Sequence, residues 1–280
     1  MPLFRKSSRR FAGAAVAAVM AVLAAVPAAA QGDLLIAPTR LVLDGRGGGE
    51  VILSNIGNEE ATYRVTLELR RMTETGELVA VEEAEANVTE KAALEMIRYA
   101  PRRVILPPDE PQAIRISARP GAELPDGEYR VHMSFAAVPK VQPVTPADQS
   151  AAQGGFAINL VPIYGITMPI IIRKGELQVL AGLANPRVEQ GAEGPAFVVD
   201  ITRGGAASVY GDVVVYRQGE DEPAFVARGI GVYPEIASRH SSFRITPEQA
   251  AALSGPVRVE LREPISAGGA LITAVDAVIR

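Results

Sequence analysis

The 280-residue chain has no cysteine and no tryptophan, and its only histidines are His132 and His240. A disulfide-stapled scaffold, a cysteine nucleophile, a CxxC redox centre and thiolate-held zinc or iron–sulfur sites are thereby excluded. Basic charge is also lacking: 28 Lys+Arg stand against 32 Asp+Glu, a formal net charge of −4, without the cationic footprint that nucleic-acid binding demands. Neither histidine has a partner at metal-ligand spacing, and His132 falls on the polar phase of its segment, so both read as surface histidines. No GxSxG, HExxH, Walker or dinucleotide-binding pattern occurs in a fitting context. The sequence therefore predicts no enzyme, no cofactor, no metal and no small-molecule substrate. What is present is a globular composition, 48% hydrophobic and 21% charged.

Residues 1–10 carry Arg5, Lys6, Arg9 and Arg10 and no acid, and an apolar run follows from Phe11 to Val26. The run ends in Pro27-Ala28-Ala29-Ala30, the small-residue boundary of a cleaved secretory signal peptide spanning 1–30. The apolar stretch is short for a membrane span of about 20 residues. Removal of the signal leaves 250 residues with 24 Lys+Arg against 32 Asp+Glu, a net charge of −8. The expected location is the periplasm of a bacterial cell.

The remaining chain alternates with a period of two almost throughout, the pattern of half-buried strands. Tyr63, Val65, Leu67 and Leu69 alternate with Arg64, Thr66, Glu68 and Arg70; Tyr129, Val131, Met133 and Phe135 alternate with Arg130, His132 and Ser134. Phe197, Val199 and Ile201, then Val213 and Val215, then Val257, Val259 and Leu261 repeat the pattern. Gly, Asn and Asp punctuate these segments at Asp44-Gly45, Asn55 to Asn58, Asp126-Gly127 and Gln218-Gly219. Such spacing predicts an all-β protein of two β-sandwiches in tandem, 31–173 and 174–280, hinged at Lys174-Gly175. One helical signal stands out, Thr246-Pro247-Glu248-Gln249 leading into Ala250–Leu253. The run Glu82-Glu83-Ala84-Glu85 reads as a solvated face, and the polar stretch 139–155 as a long loop within the first sandwich.

Residues 149–172 contain no charged side chain, and Phe156–Ile172 is the most hydrophobic part of the exported chain. Pro162 and Pro169 cannot donate to a ladder and confine the segment to an edge or a bulge. An uncharged apolar edge is what soluble proteins normally avoid, because it invites pairing with another chain. Its presence in an exported protein points to strand addition as a means of binding.

Several segments, in order, resemble the PapD-like periplasmic pilus chaperones, which implies that both sandwiches are immunoglobulin-like. These segments are Pro38-Thr39-Arg40-Leu41-Val42-Leu43-Asp44-Gly45, Val51–Asn55, Pro101–Pro108 with Gln112–Ile116, Leu124–Tyr129 running to Phe135, and Pro169–Arg173. The resemblance implies a periplasmic chaperone that stabilises pilus or fimbrial subunits by donor-strand complementation and passes them to an outer-membrane usher. It implies that Arg40 anchors the subunit's C-terminal carboxylate, for which a guanidinium fork is suited. Glu128 and Arg173 match members of an interdomain ion pair. Phe156, Ile158 and Leu160 match the donor motif within 156–172; an ungapped alignment back from Arg173 gives Leu160, Pro162 and Tyr164 instead. The family's second cation would fall at Pro169, and Arg130 and Lys174 are both candidates to replace it. A secreted or periplasmic immunoglobulin-like structural or adhesive protein shares the fold without lending a strand, and is the competing reading.

Overall fold

The computed structural model describes residues 34–45, 47–139 and 163–280. The predicted signal peptide, Phe156, Ile158 and Leu160, and most of the loop 139–155 lie outside the described residues.

The first ten strands form two facing sheets. One contains β1 (Leu34–Ala37), β3 (Gly48–Asn55), β8 (Pro111–Ala118) and β6 (Ile97–Ala100), in the order β1-β3-β8-β6. The other is ordered β2-β10-β9-β4-β5, from β2 (Leu41–Leu43), β10 (Gly165–Lys174), β9 (Gly127–Ala137), β4 (Ala61–Met72) and β5 (Leu78–Val81); β7 (Arg103–Leu106) pairs with the start of β4. The chain thus leaves β1 in one sheet and re-enters the other as β2, parallel to β10. Counting β1 and β2 as one split strand, this is the strand order of an immunoglobulin-type sandwich.

The alternation read from the sequence supplies the core. Val51, Leu53, Tyr63, Val65, Leu69, Ile114, Ile116, Val131, Met133, Phe135, Met168, Ile170 and Ile172 bury one face of each sheet in a single cluster. Tyr129 closes one corner, its hydroxyl donating to the Pro125 carbonyl 2.7 Å away, the tyrosine-corner device of such sandwiches.

The second sandwich pairs a three-stranded sheet with a four-stranded one. The first is β11 (Val179–Gly191), β12 (Gly194–Gly205) and β15 (Ser238–Arg244); the second is ordered β14-β13-β16-β17, from β14 (Pro223–Val232), β13 (Val209–Arg217), β16 (Gly255–Arg262) and β17 (Leu271–Ile279). Its core is a separate cluster of Phe197, Val199, Ile201, Val213, Val215, Val257, Val259 and Leu261, against which Phe243 stacks on Phe197 and Phe225 packs on it at a tilt. The predicted helical turn is α2 (Pro247–Ala252), with Thr246 and Gln249 forming a capping box.

Two features depart from the sequence reading. A further helix, α1 (Val88–Met96), links β5 to β6; Asn87 and Glu90 form its capping box, and it buries Ala93 and Met96. His132 is also not a surface group, being 1% exposed, because the second sandwich covers the polar phase of β9 at that point.

Tyr129→Phe keeps the ring and leaves the Pro125 carbonyl without its donor. A net hydrogen bond contributes about 0.5–1.5 kcal/mol, so urea unfolding of this variant should show a stability lower by about 1 kcal/mol with an unchanged m-value.

Candidate functional site

The two sandwiches meet on the outer face of the six-stranded sheet, and two polar links flank a small apolar seam. In the β9–β10 ladder Arg173 lies directly opposite Glu128, so their side chains share a face. The Glu128 side chain is 0% exposed. One of its oxygens, Oε2, accepts from Arg173 Nε at 3.1 Å, from the Ser208 backbone N–H at 3.0 Å and from the Ser208 hydroxyl at 2.8 Å. Both charges belong to the first sandwich; Ser208, just before β13, brings in the second. Arg173 also donates to the Ser208 carbonyl at 3.3 Å.

Arg40 lies between β1 and β2 and joins the same group. One terminal nitrogen donates to Ser208 Oγ at 3.2 Å, and the guanidinium sits 4.6 Å from the centre of the Tyr210 ring. Its Nε is buried without a hydrogen-bond partner. Burial lowers the Arg40 pKa from its usual value, with Tyr233 and Glu128 opposing and Arg173 adding to the shift. The group stays cationic, a partly desolvated guanidinium with unspent donor capacity.

The second link centres on Arg130. Its two terminal nitrogens grip Glu235 at 2.6 and 3.2 Å, and one of them also donates to the Arg70 carbonyl at 2.8 Å. The guanidinium lies 3.7 Å from the centre of the Tyr233 ring, within cation–π range. Glu235 accepts in addition from the Met72 backbone N–H at 2.7 Å. Between the links, Met72, Ile171 and Tyr233 form the apolar seam, and His132 meets Tyr233 edge-on at 6.4 Å. Farther along, the Glu74 carbonyl in the β4–β5 turn accepts from the His240 N–H at 2.7 Å.

Of the two cations considered as a second anchor, neither is free. Arg130 is spent on Glu235, and the Lys174 ammonium is ringed by the carbonyls of Gly121, Ala122 and Leu124. Pro169 stands opposite His132 in the β9–β10 ladder.

The apolar segment enters the same sheet as β10, beside β9. Only Ile170–Ile172 pair with β2; Gly165–Pro169 have β9 as their sole ladder partner among the described residues. Next to this edge Ile163, Tyr164 and Ile166 are 64%, 61% and 42% exposed. Arg40, Glu128 and Arg173 are thus brought together with one another, whereas Tyr164 stands at the strand edge, away from their hydrogen-bonded group. Ser208, Tyr210, Tyr233 and Glu235 were not foreseen: a serine, two tyrosines and a glutamate in strand and turn segments carry no signal of an interdomain role.

No family model and no curated protein matches the chain. Similar solved structures include the CupB2 chaperone of Pseudomonas aeruginosa, 15% identical over 88% of this chain and 100% of that one, with a TM-score of 0.46. A chain of the SafA pilin–SafB chaperone complex of Salmonella enterica is 14% identical over 89% of this chain and 97% of that one, TM-score 0.44. A chain of the CsuC–CsuE chaperone–tip adhesion subunit pre-assembly complex of Acinetobacter baumannii is 12% identical over 88% and 99%, TM-score 0.44. At such identities, and with TM-scores below 0.5, no property of those proteins transfers to this chain.

Chemically, the junction offers hydrogen-bond donors to an anion. Among the described residues no cluster of His, Asp and Glu is placed to hold a metal, and no helix is long and apolar enough to cross a membrane.

His132 supplies a pH dependence. Burial, then the charges of Arg130 and Arg70, lower its pKa from 6.5 to about 3, and both ring nitrogens lack partners. The folded protein keeps it neutral, while the unfolded chain binds a proton below its ordinary pKa. The stability it contributes is full above pH 6.5 and is lost as the pH falls toward 3, with a slope approaching about 1.4 kcal/mol per pH unit. Denaturation at a series of pH values should show this slope in the wild type and a flatter profile in His132→Phe.

Proposed function

We propose that the protein is a periplasmic chaperone for pilus or fimbrial subunits, acting by strand addition and handing its cargo to an outer-membrane usher. The observation that carries this reading is the β10 edge: a strand uncharged from Gly165 to Ile172, with Ile163, Tyr164 and Ile166 exposed and, among the described residues, no ladder partner for Gly165–Pro169 on the side away from β9. Soluble proteins blunt such edges with charge, and here the segment has none over residues 149–172. A subunit lacking a strand exposes unpaired backbone and an apolar groove; the lent edge supplies ladder bonds and side chains to both.

In this reading Arg40 anchors the subunit's terminal carboxylate. Its contacts with Ser208 and Tyr210 hold the fork in place, and its buried Nε has no hydrogen-bond partner. The donor side chains are Phe156, Ile158 and Leu160, continuing toward Tyr164. Burying each large apolar side chain contributes about 1.5–3 kcal/mol before ordering costs, and a charged hydrogen bond about the same. The strand therefore supplies most of the affinity, and Arg40 sets the register. Glu128 and Arg173, through Ser208, fix how the second sandwich flanks the anchor. Residues 1–30 act as the export signal, and the two sandwiches divide at the left-handed Gly175, whose φ is +79°.

Co-expression with a secreted subunit encoded beside it tests the proposal. A stable 1:1 complex should form with the wild type and weaken at least tenfold in Arg40→Ala and in Ile166→Asp, measured on purified complexes. Undiminished binding by both variants, or a subunit that is soluble alone while the protein stays uncomplexed, would overturn it and favour the structural or adhesive alternative.

A further inference from the structure

We infer that Arg130, Tyr233 and Glu235 are positioning residues: a clasp that sets the angle between the sandwiches independently of the Glu128–Ser208 link. The two links draw on different elements. Glu128 and Arg173 hold Ser208 at the start of β13, whereas Arg130 engages the turn after β14 through a stacked ring and a two-point carboxylate grip.

Three observations give the clasp its strength. The Arg130 side chain is 8% exposed, so its charge is largely removed from water and its partners act at short range. Both terminal nitrogens of its guanidinium are engaged, the fork on Glu235 and one nitrogen also on the Arg70 carbonyl, with the Tyr233 ring against its face, while Nε is buried without a hydrogen-bond partner. Glu235 is in turn fixed by the Met72 N–H, which ties the clasp to the backbone of β4. The turn between β4 and β5 continues the grip. Glu74 bonds the His240 N–H, and Arg239 packs so close over Gly76 that a Cβ there would meet its guanidinium at 2.0 Å.

Two separated attachments on one sheet fix an angle where a single attachment leaves a pivot. Loss of Ser208's hydroxyl removes one donor from one link and leaves the clasp whole; loss of the clasp leaves the sandwiches turning about Ser208. The consequence is local to the junction and does not depend on what the β10 edge binds, so failure of the chaperone reading and failure of this one are separate results.

The absence of native cysteine allows spin labels at two introduced cysteines, replacing the exposed Glu110 and Glu222, one on each sandwich. In the exported full-length protein, electron–electron distance measurements should give one narrow distribution for the wild type, for Ser208→Ala and for Tyr233→Phe, which keeps the ring. Tyr233→Leu and Glu235→Gln should each broaden it, and the two together more so. Near-native circular dichroism and retained cores confirm folded sandwiches; Glu235→Gln, conservative in shape, serves if Tyr233→Leu does not fold. An unbroadened distribution in Glu235→Gln, or broadening by Ser208→Ala equal to that of the clasp variants, overturns the inference.

Discussion

A carboxylate with no exposed side-chain surface, Glu128, sits where the two sandwiches meet, and the arrangement around it follows from the cost of keeping a charge out of water. Such a group persists only when donors offset that cost, and here they all converge on Oε2 while Oε1 has none. One donor comes from its own sandwich, through Arg173, and two come from the other, through the N–H and O–H of Ser208. Separating the sandwiches strips two of the three donors from one oxygen. Docking draws on these polar contacts together with the apolar contact of Met72, Ile171 and Tyr233, and the direction of the donors gives that contact an orientation. Ser208 is also where Arg40 attaches, so the same serine couples a cation in the crossover between β1 and β2 to an anion in β9.

The fold was legible because its strands are one-sided. Tyr63, Val65 and Leu69 in β4 and Val257, Val259 and Leu261 in β16 face cores, and period-two alternation reports such burial directly. It fails where a second body covers the outer face. His132 occupies a polar-phase position, and nothing local to β9 announces that Tyr233, about a hundred residues later, lies over it. Helix α1 was missed for a different reason. Its Asn87–Glu90 capping box was present in the sequence, yet the glutamate-rich run before it and the brevity of the apolar pattern concealed it. At the site, Arg40, Glu128 and Arg173 were identified by resemblance. Ser208, Tyr210 and Glu235 were not, because an interdomain contact depends on how two surfaces meet rather than on any spacing along one chain.

Strand β10 answers to three environments within ten residues. Met168, Ile170 and Ile172 enter the first core. Ile171, on the opposite face, enters the seam with the second sandwich, and Arg173 reaches the Glu128 carboxylate. Toward its beginning the same strand has neither β2 beside it nor burial for Ile166. A run free of charge from Gly165 to Ile172 is what allows both faces to be buried at one end and the edge to stand open, among the described residues, at the other.

The short parallel ladder of β2 with Ile170–Ile172 has a geometric meaning of its own. Because β2 already occupies that side of β10, a strand laid along the open edge meets an obstacle at Ile170, just after a proline that offers no N–H. The three residues of β2, Leu41–Leu43, thereby act as an end-stop. They set the zero of length from which any chain lying against β10 is measured, and a slip of one residue toward the junction would collide with Leu41 rather than find a new register.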